Sequence, residues 1–237
     1  MLTEDDIDDI TIRAAGDGRH EQAAAEFEDL AGQPALHGEI SATTLLVHAG
    51  GQYGLARRWD EAVRCYRAAL VASRDSGREE FDPRVWLHDA LLRWNSDSAA
   101  TTEPAARVAG EPGSAGTAGT AGTAGTDTAE RLERATEATA LLAEIKASRP
   151  RDPDVYAAVA ETLAEHDQLV EAHTWYTMGF QRCQRADVPE YLLQLLLVGR
   201  RTMRRKLDYP LDELDLIADA YVDHQEPAGE LGEHLGA

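Results

Sequence analysis

Ala138 and Ala172 stand 34 residues apart, and four residues after each comes a large apolar side chain, Leu142 and Tyr176. The same small-then-large pair recurs as Ala23 with Phe27 and as Ala62 with Tyr66. Residues four apart share one face of a helix, so each pair marks a helix with a patterned contact face. A period near 34 residues is that of a helix-turn-helix solenoid. Such a chain is a scaffold with a groove rather than a fold built around a catalytic centre.

Local signals agree with helices. Thr3 and Asp6 make a capping-box-like start, and Ile7, Ile10 and Ala14 follow at helical spacing. Asp82-Pro83 and Asp152-Pro153 each place an N-cap Asp before a proline at the first helical position. Asp208-Tyr209-Pro210 is read as opening the last helix in a similar way. No period-two alternation appears, so no sheet is expected.

Residues 98–127 stand apart. Ala115-Gly116-Thr117 repeats in tandem to Thr126, with no apolar periodicity to repay the entropy of ordering. A flexible, disordered loop is expected there, and a flexible tail over 225–237. The helix before the loop carries Leu87, Ala90, Leu91 and Trp94; the helix after it carries Ala138, Leu142 and Ile145, with Pro150 closing. The tract thus reads as an insertion between two helices of one repeat, because closure entropy grows only logarithmically with loop length. Residues 1–97 and 128–224 are then two parts of one solenoid.

These residues resemble the tetratricopeptide repeat (TPR) family. The best match runs from Thr43 to Ser76, with Leu46, Ala49, Gly50 and Tyr53 on the first helix and Ala62, Tyr66 and Ala69 on the second. A second clean unit has Tyr156, Val159, Ala160 and Leu163, then Ala172, Tyr176 and Gly179. The resemblance implies an all-α right-handed superhelix of antiparallel helix pairs. It also implies a non-catalytic protein- or peptide-binding scaffold or adaptor whose concave face is made by first helices. The groove positions are then Val47, Gly51, Gly54, His88, Leu92, Ala157, Glu161 and Leu195. Gly51 and Gly54 on that face would let a ligand backbone approach closely. Some family members grip a C-terminal carboxylate with Lys and Asn at such positions; Val47, Gly51, Ala157 and Glu161 cannot, so that clamp is absent. Tyr53, Tyr66, Tyr156 and Tyr176 fall at core positions, while Trp86 or Trp94 could anchor a partner.

The formal charge of −20 repels phosphate backbones and anionic lipid surfaces, so neither nucleic acid nor membrane is an expected partner. The positive cluster Arg200, Arg201, Arg204, Arg205 and Lys206 carries an alternative function, an anion- or phospho-ligand-responsive regulator. Against it, Asp208, Asp212, Glu213, Asp215 and Asp219 follow at once as internal partners. Gly50-Gly51-Gln52-Tyr53-Gly54 lacks the spacing and lysine of a phosphate loop. His166 and His173 lack a third ligand, and no HExxH or nucleophile signature occurs. Cys65 and Cys183 give neither a metal pattern nor a disulfide framework. No enzymatic activity, cofactor or metal is therefore expected. The N-terminus shows no signal-peptide pattern, and the Arg-over-Lys, Ala- and Gly-rich composition suggests a GC-rich bacterial genome; a cytoplasmic protein is expected.

Overall fold

The computed structural model describes residues 1–33, 40–76, 82–107, 121–184 and 188–225. Among these residues there are ten α-helices and no strand: α1 (Glu4–Asp17), α2 (His20–Ala31), α3 (Ala42–Leu55), α4 (Trp59–Ser76), α5 (Pro83–Arg107), α6 (Ala121–Ser148), α7 (Pro153–Glu165), α8 (Leu169–Cys183), α9 (Glu190–Lys206) and α10 (Glu213–Gln225). No helix among them is long and apolar enough to cross a membrane. Helices α5 and α6 reach into the stretch read as loop, covering residues 98–107 and 121–127. Extending a formed helix through alanine-rich sequence adds a hydrogen bond per residue without a new nucleation cost. The middle of the tract, 108–120, and the tail from 226 lie outside the described residues.

The chain divides into two compact units, Met1–Ile145 and Lys146–Ala237. In the first, α1 packs on α2, α2 on α3, α3 on α4 and α4 on α5, with a further contact of α3 on α5. Its core has two parts. One joins Ile7 and Ile10 of α1 to Phe27 of α2, Leu45 of α3 and Cys65 of α4. The other joins Val63 and Tyr66 of α4 to Leu87 and Leu91 of α5 and to Ala138 and Leu141 of α6. Helices on either side of the Ala-Gly-Thr tract therefore share one core. In the second unit α7 packs on α8 and α9, α8 on α9, and α9 on α10. Tyr156, Leu163 and Leu196 are its largest fully buried apolar side chains.

Three helix pairs are joined by the same turn. Gly18, Arg57 and Asp167 each adopt a left-handed backbone, with φ of 67°, 58° and 58°. The next residue's amide donates back to a carbonyl five residues earlier: Arg19 to Ala14, Arg58 to Tyr53, Gln168 to Leu163. That residue's own carbonyl then accepts from the amide of Ala23, Ala62 or Ala172. The three alanines of the sequence repeat thus hold one structural position, all three buried against a neighbouring helix. The large residues four further on, Phe27, Tyr66 and Tyr176, are buried as well.

Caps follow the sequence signals with one correction. Thr3 and Asp6 form a reciprocal capping box, Asp152 caps α7 through the Asp154 amide, and Asp82 accepts from the Arg84 amide. Asp208 does not open the last helix. It is the left-handed residue that ends α9, with φ of 54°. The start of α10 is fixed instead by Asp212 and Asp215, whose side chains accept from each other's backbone amides at 3.1 and 3.0 Å. A short acidic residue suits both a left-handed turn and an N-cap, and here Pro210 separates the two roles.

Candidate functional site

The small residue expected at the helix contact of α3 is Gly50. A Cβ there would lie 2.6 Å from Cε1 of Tyr66, so the ring of α4 presses directly on the α3 backbone. The next two glycines differ. A Cβ on Gly51 would meet only the Tyr66 hydroxyl at 3.9 Å, and one on Gly54 only the Trp59 ring at 3.4 Å. Neither position is crowded, and both border a cleft of about 470 Å³.

Val47, Gly51 and Gly54 of α3 line this cleft. Trp59 and Tyr66 of α4 and Trp86 of α5 supply its aromatic wall. Trp59 is fixed by its indole, which donates to Asp97 Oδ2 at 2.7 Å. Trp86, on the first turn of α5, is 39% exposed and Leu55 at the end of α3 is 64% exposed, so the cleft opens to solvent beside apolar surface. On the polar side, Arg93 Nε donates to both carboxylate oxygens of Asp89 at 2.9 Å. His48 is held against Phe27 with ring centroids 5.3 Å apart. Burial pushes the His48 pKa down, partly offset by the charge of Asp8, which keeps the ring neutral near pH 7.

His88 is not a groove residue. It is buried, and its Nδ1 donates to the Ala138 carbonyl at 3.1 Å, facing α6. Leu92 packs against the same inner core. The face of α5 turned to the cleft is Trp86, Asp89, Ala90 and Arg93, at spacings of three, four and seven along the helix. That stripe was readable in the sequence. Aligning α5 by its repeat positions alone missed that α6 covers the His88 side. Trp94, the second tryptophan of α5, stacks instead beneath Arg134, whose guanidinium carbon lies 4.3 Å from the ring centroid.

In the second unit the expected groove residues separate. Ala157 is buried within the helix packing, whereas Glu161 of α7 and Leu195 of α9 are exposed. The Glu161 carboxyl is pushed up by partial desolvation and then by the charges of Glu165 and Asp154.

The arginines of α9 face their own chain. Arg200, almost fully buried, donates to Asp215 Oδ1 at 2.8 Å and to both oxygens of Asp212. Arg204 Nε donates to Asp215 Oδ2 at 2.8 Å, and its terminal nitrogen to the Pro210 carbonyl. Arg201 grips Asp219 through Nε and Nη2 at 3.0 and 3.2 Å. Arg205 is more exposed and reaches Asp219 at 3.8 Å. The carboxylates that follow in sequence thus occupy the donors an external anion would need, and the cluster's geometry is that of a clasp between α9 and α10.

The clasp sets an acid limit on the second unit. Its hydrogen bonds with Arg200 hold Asp212 down to about 2, below the ordinary 3.8. A lowered carboxylate contributes stability above its unfolded value and loses it as pH falls through its folded value. Asp154 and Glu161 are raised, by burial first, and act oppositely: their contribution is fullest below the ordinary 3.8 and 4.5 and fades as pH rises above them. Stability to urea is therefore expected to change little on mild acidification and to fall steeply between about pH 4 and pH 2. Asp212→Asn should flatten that acid limb. Denaturation midpoints across this range check it.

The remaining titratable clusters are structural. Glu28 of α2 accepts from the Tyr53 hydroxyl at 2.9 Å and from Arg64 at 2.6 and 2.9 Å, tying three helices. Cys65, beneath this group, is buried and its thiol is pushed up to about 12; Cys183 is buried and also raised. Among the described residues no three His, Cys, Asp or Glu side chains are placed to hold a metal ion. No family model and no curated protein matches this chain.

Proposed function

We propose that this chain is a non-catalytic, TPR-like scaffold that binds a protein or peptide segment in the cleft formed by α3, α4 and α5. One observation carries the reading. Two glycines of α3 have room for a methyl group, Gly51 in the helix interior, where alanine would be more stable by roughly 1 kcal/mol, and Gly54 in the last turn, and both border an aromatic-walled cleft. A helix-interior glycine kept at that cost, with no neighbour needing the room, fits a site where something else comes close. The shared turn geometry of three helix pairs supports the repeat assignment, and the packing of α3 on α5 and of α7 on α9 agrees with it. The alternative, an anion-responsive regulator built on Arg200, Arg201, Arg204 and Arg205, is disfavoured because the chain's own carboxylates hold those donors.

Selection of a random-peptide phage library on the immobilised full chain tests the proposal. Enriched peptides should bind in solution and lose tenfold or more in affinity to Trp86→Ala, as expected for a cleft anchor. No enrichment, or enriched peptides indifferent to Trp86→Ala, would overturn it.

A further inference from the structure

Around the clasp of α9 and α10 stand two enclosed polar atoms with no hydrogen-bond partner among the described residues, and the two are complementary. One is Nε of Arg200, a donor on a side chain only 6% exposed, whose terminal nitrogens are already occupied by Asp212 and Asp215. The other is Nε2 of His173 on α8. In a neutral imidazole with its proton on Nδ1, Nε2 is an acceptor. The groups are neighbours, since the Arg200 charge acts on the His173 ring.

His173 also packs on the turn that positions α10. Its ring meets that of Tyr209 almost perpendicularly, at 88° and 5.6 Å between centroids. Arg204 lies 5.6 Å from the same Tyr209 centroid and donates to the Pro210 carbonyl and to Asp215. The imidazole thus rests against the short segment whose position decides whether α10 can reach α9.

The charges facing His173 come from Arg200 and Arg204 of α9 and from Asp212 and Asp215 at the start of α10. Asp154, Glu161 and Glu165 of α7 and Glu171 of α8 itself act on it less. Burial first, then the two arginines, push its pKa below the ordinary 6.5, with the two aspartates opposing.

We propose that His173 is a pH-sensitive latch on α10. Neutral, it accepts from Arg200 Nε, directly or through one bridging water, and the clasp is closed. Protonated, it has no lone pair to offer. The Arg200 Nε–H is then stranded, and a third cation stands beside Arg200 and Arg204. The turn at Tyr209 gives way and α10 leaves α9. A histidine whose folded pKa is lowered takes up its proton more readily once the clasp has opened. Opening therefore grows as pH falls from above 6.5 through the lowered value, and levels off below it. Asp154 and Glu161 gain over the lower part of that range, so the urea midpoint of the unit moves less than the local protection of α10.

Hydrogen exchange of the full chain, read by mass spectrometry at about pH 7.5 and about pH 5.5 and corrected for the intrinsic pH dependence of exchange, tests the latch. Protection of α10 is expected to drop several-fold at the lower pH while that of α7 holds. His173→Gln is neutral at both values and can accept from Arg200 through its side-chain carbonyl, so it should keep α10 protected throughout. His173→Phe, neutral but without an acceptor, should be independent of pH and less protected than His173→Gln. Unchanged α10 protection in the unaltered chain overturns the latch, as does a pH dependence that persists in His173→Gln. Equal protection of the Phe and Gln variants overturns the pairing with Arg200. The first comparison uses the unaltered chain and needs no variant to fold.

Discussion

Arg200→Ala is expected to lower the stability of the second unit by about 3–5 kcal/mol, the range for removing one partner of a buried charge pair. Asp215 is 0% exposed and accepts from Arg200, Arg204 and the Asp212 amide. Deleting the Arg200 guanidinium strands that carboxylate, with only Arg204 and one amide to compensate. It also removes the fork that holds Asp212, so the N-terminus of α10 loses part of its cap. Urea denaturation should show a lower midpoint, and hydrogen exchange should open α9 and α10 before α7. Arg200→Met/Asp215→Asn should recover part of the loss, because the stranded charge is gone. A single mutant within about 1 kcal/mol of the parent would mean that the clasp is no more than a surface ion pair.

The second large effect comes from one methyl group. Gly179→Ala on α8 would put a Cβ 2.5 Å from the Tyr156 Cβ and 2.8 Å from its Cγ. Neither atom can swing aside, since both lie at the root of a fully buried side chain. Tyr156 is held further by its hydroxyl on the Pro150 carbonyl and by Arg182 Nη1 at 3.2 Å. Relief therefore requires α7 and α8 to move apart, and overpacking of this kind costs about 1–3 kcal/mol. Helix propensity alone argues the other way, favouring alanine by about 1 kcal/mol. The expected net result is destabilisation, read as a lower melting temperature, whereas Gly51→Ala on the open face should raise it. Two identical substitutions in helix interiors thus carry opposite signs, decided by what stands opposite each glycine.

Much of the helical framework was legible in the sequence. Ala23, Ala62 and Ala172 could be paired with Phe27, Tyr66 and Tyr176 because a helix contact needs a small residue where backbones approach and a large one beside it. Prolines after Asp82 and Asp152 marked helix starts, since proline fits only the first turn. Other features depend on which neighbour covers which face. Leu45, not Leu46, is the fully buried leucine of α3, and Leu141 rather than Leu142 is the buried leucine of α6. Adjacent positions on a helix differ by 100°, a rotation that a sparse repeat pattern does not fix.

The cleft shows the same division. Val47, Gly51 and Gly54 were readable because unexplained glycines in a helix mark a special face. His88 was misplaced because nothing local announces that α6, beyond a long tract, lies against it. The clasp of α9 was legible as chemistry, five cations followed at once by acids, but not as geometry. Only the packing shows that Asp215 is completely enclosed.

The two cysteines give the molecule a way of reporting on itself. One lies in each compact unit, Cys65 in the first and Cys183 in the second, both enclosed and both with thiols held protonated. Only a thiolate reacts quickly with an alkylating reagent, so each sulfur stays silent until the helices around it part. Pulsed alkylation followed by peptide mapping would then time the opening of each half separately, without a label or an engineered residue. A ligand seated in the α3–α5 cleft should slow the Cys65 clock while leaving that of Cys183 to run as before.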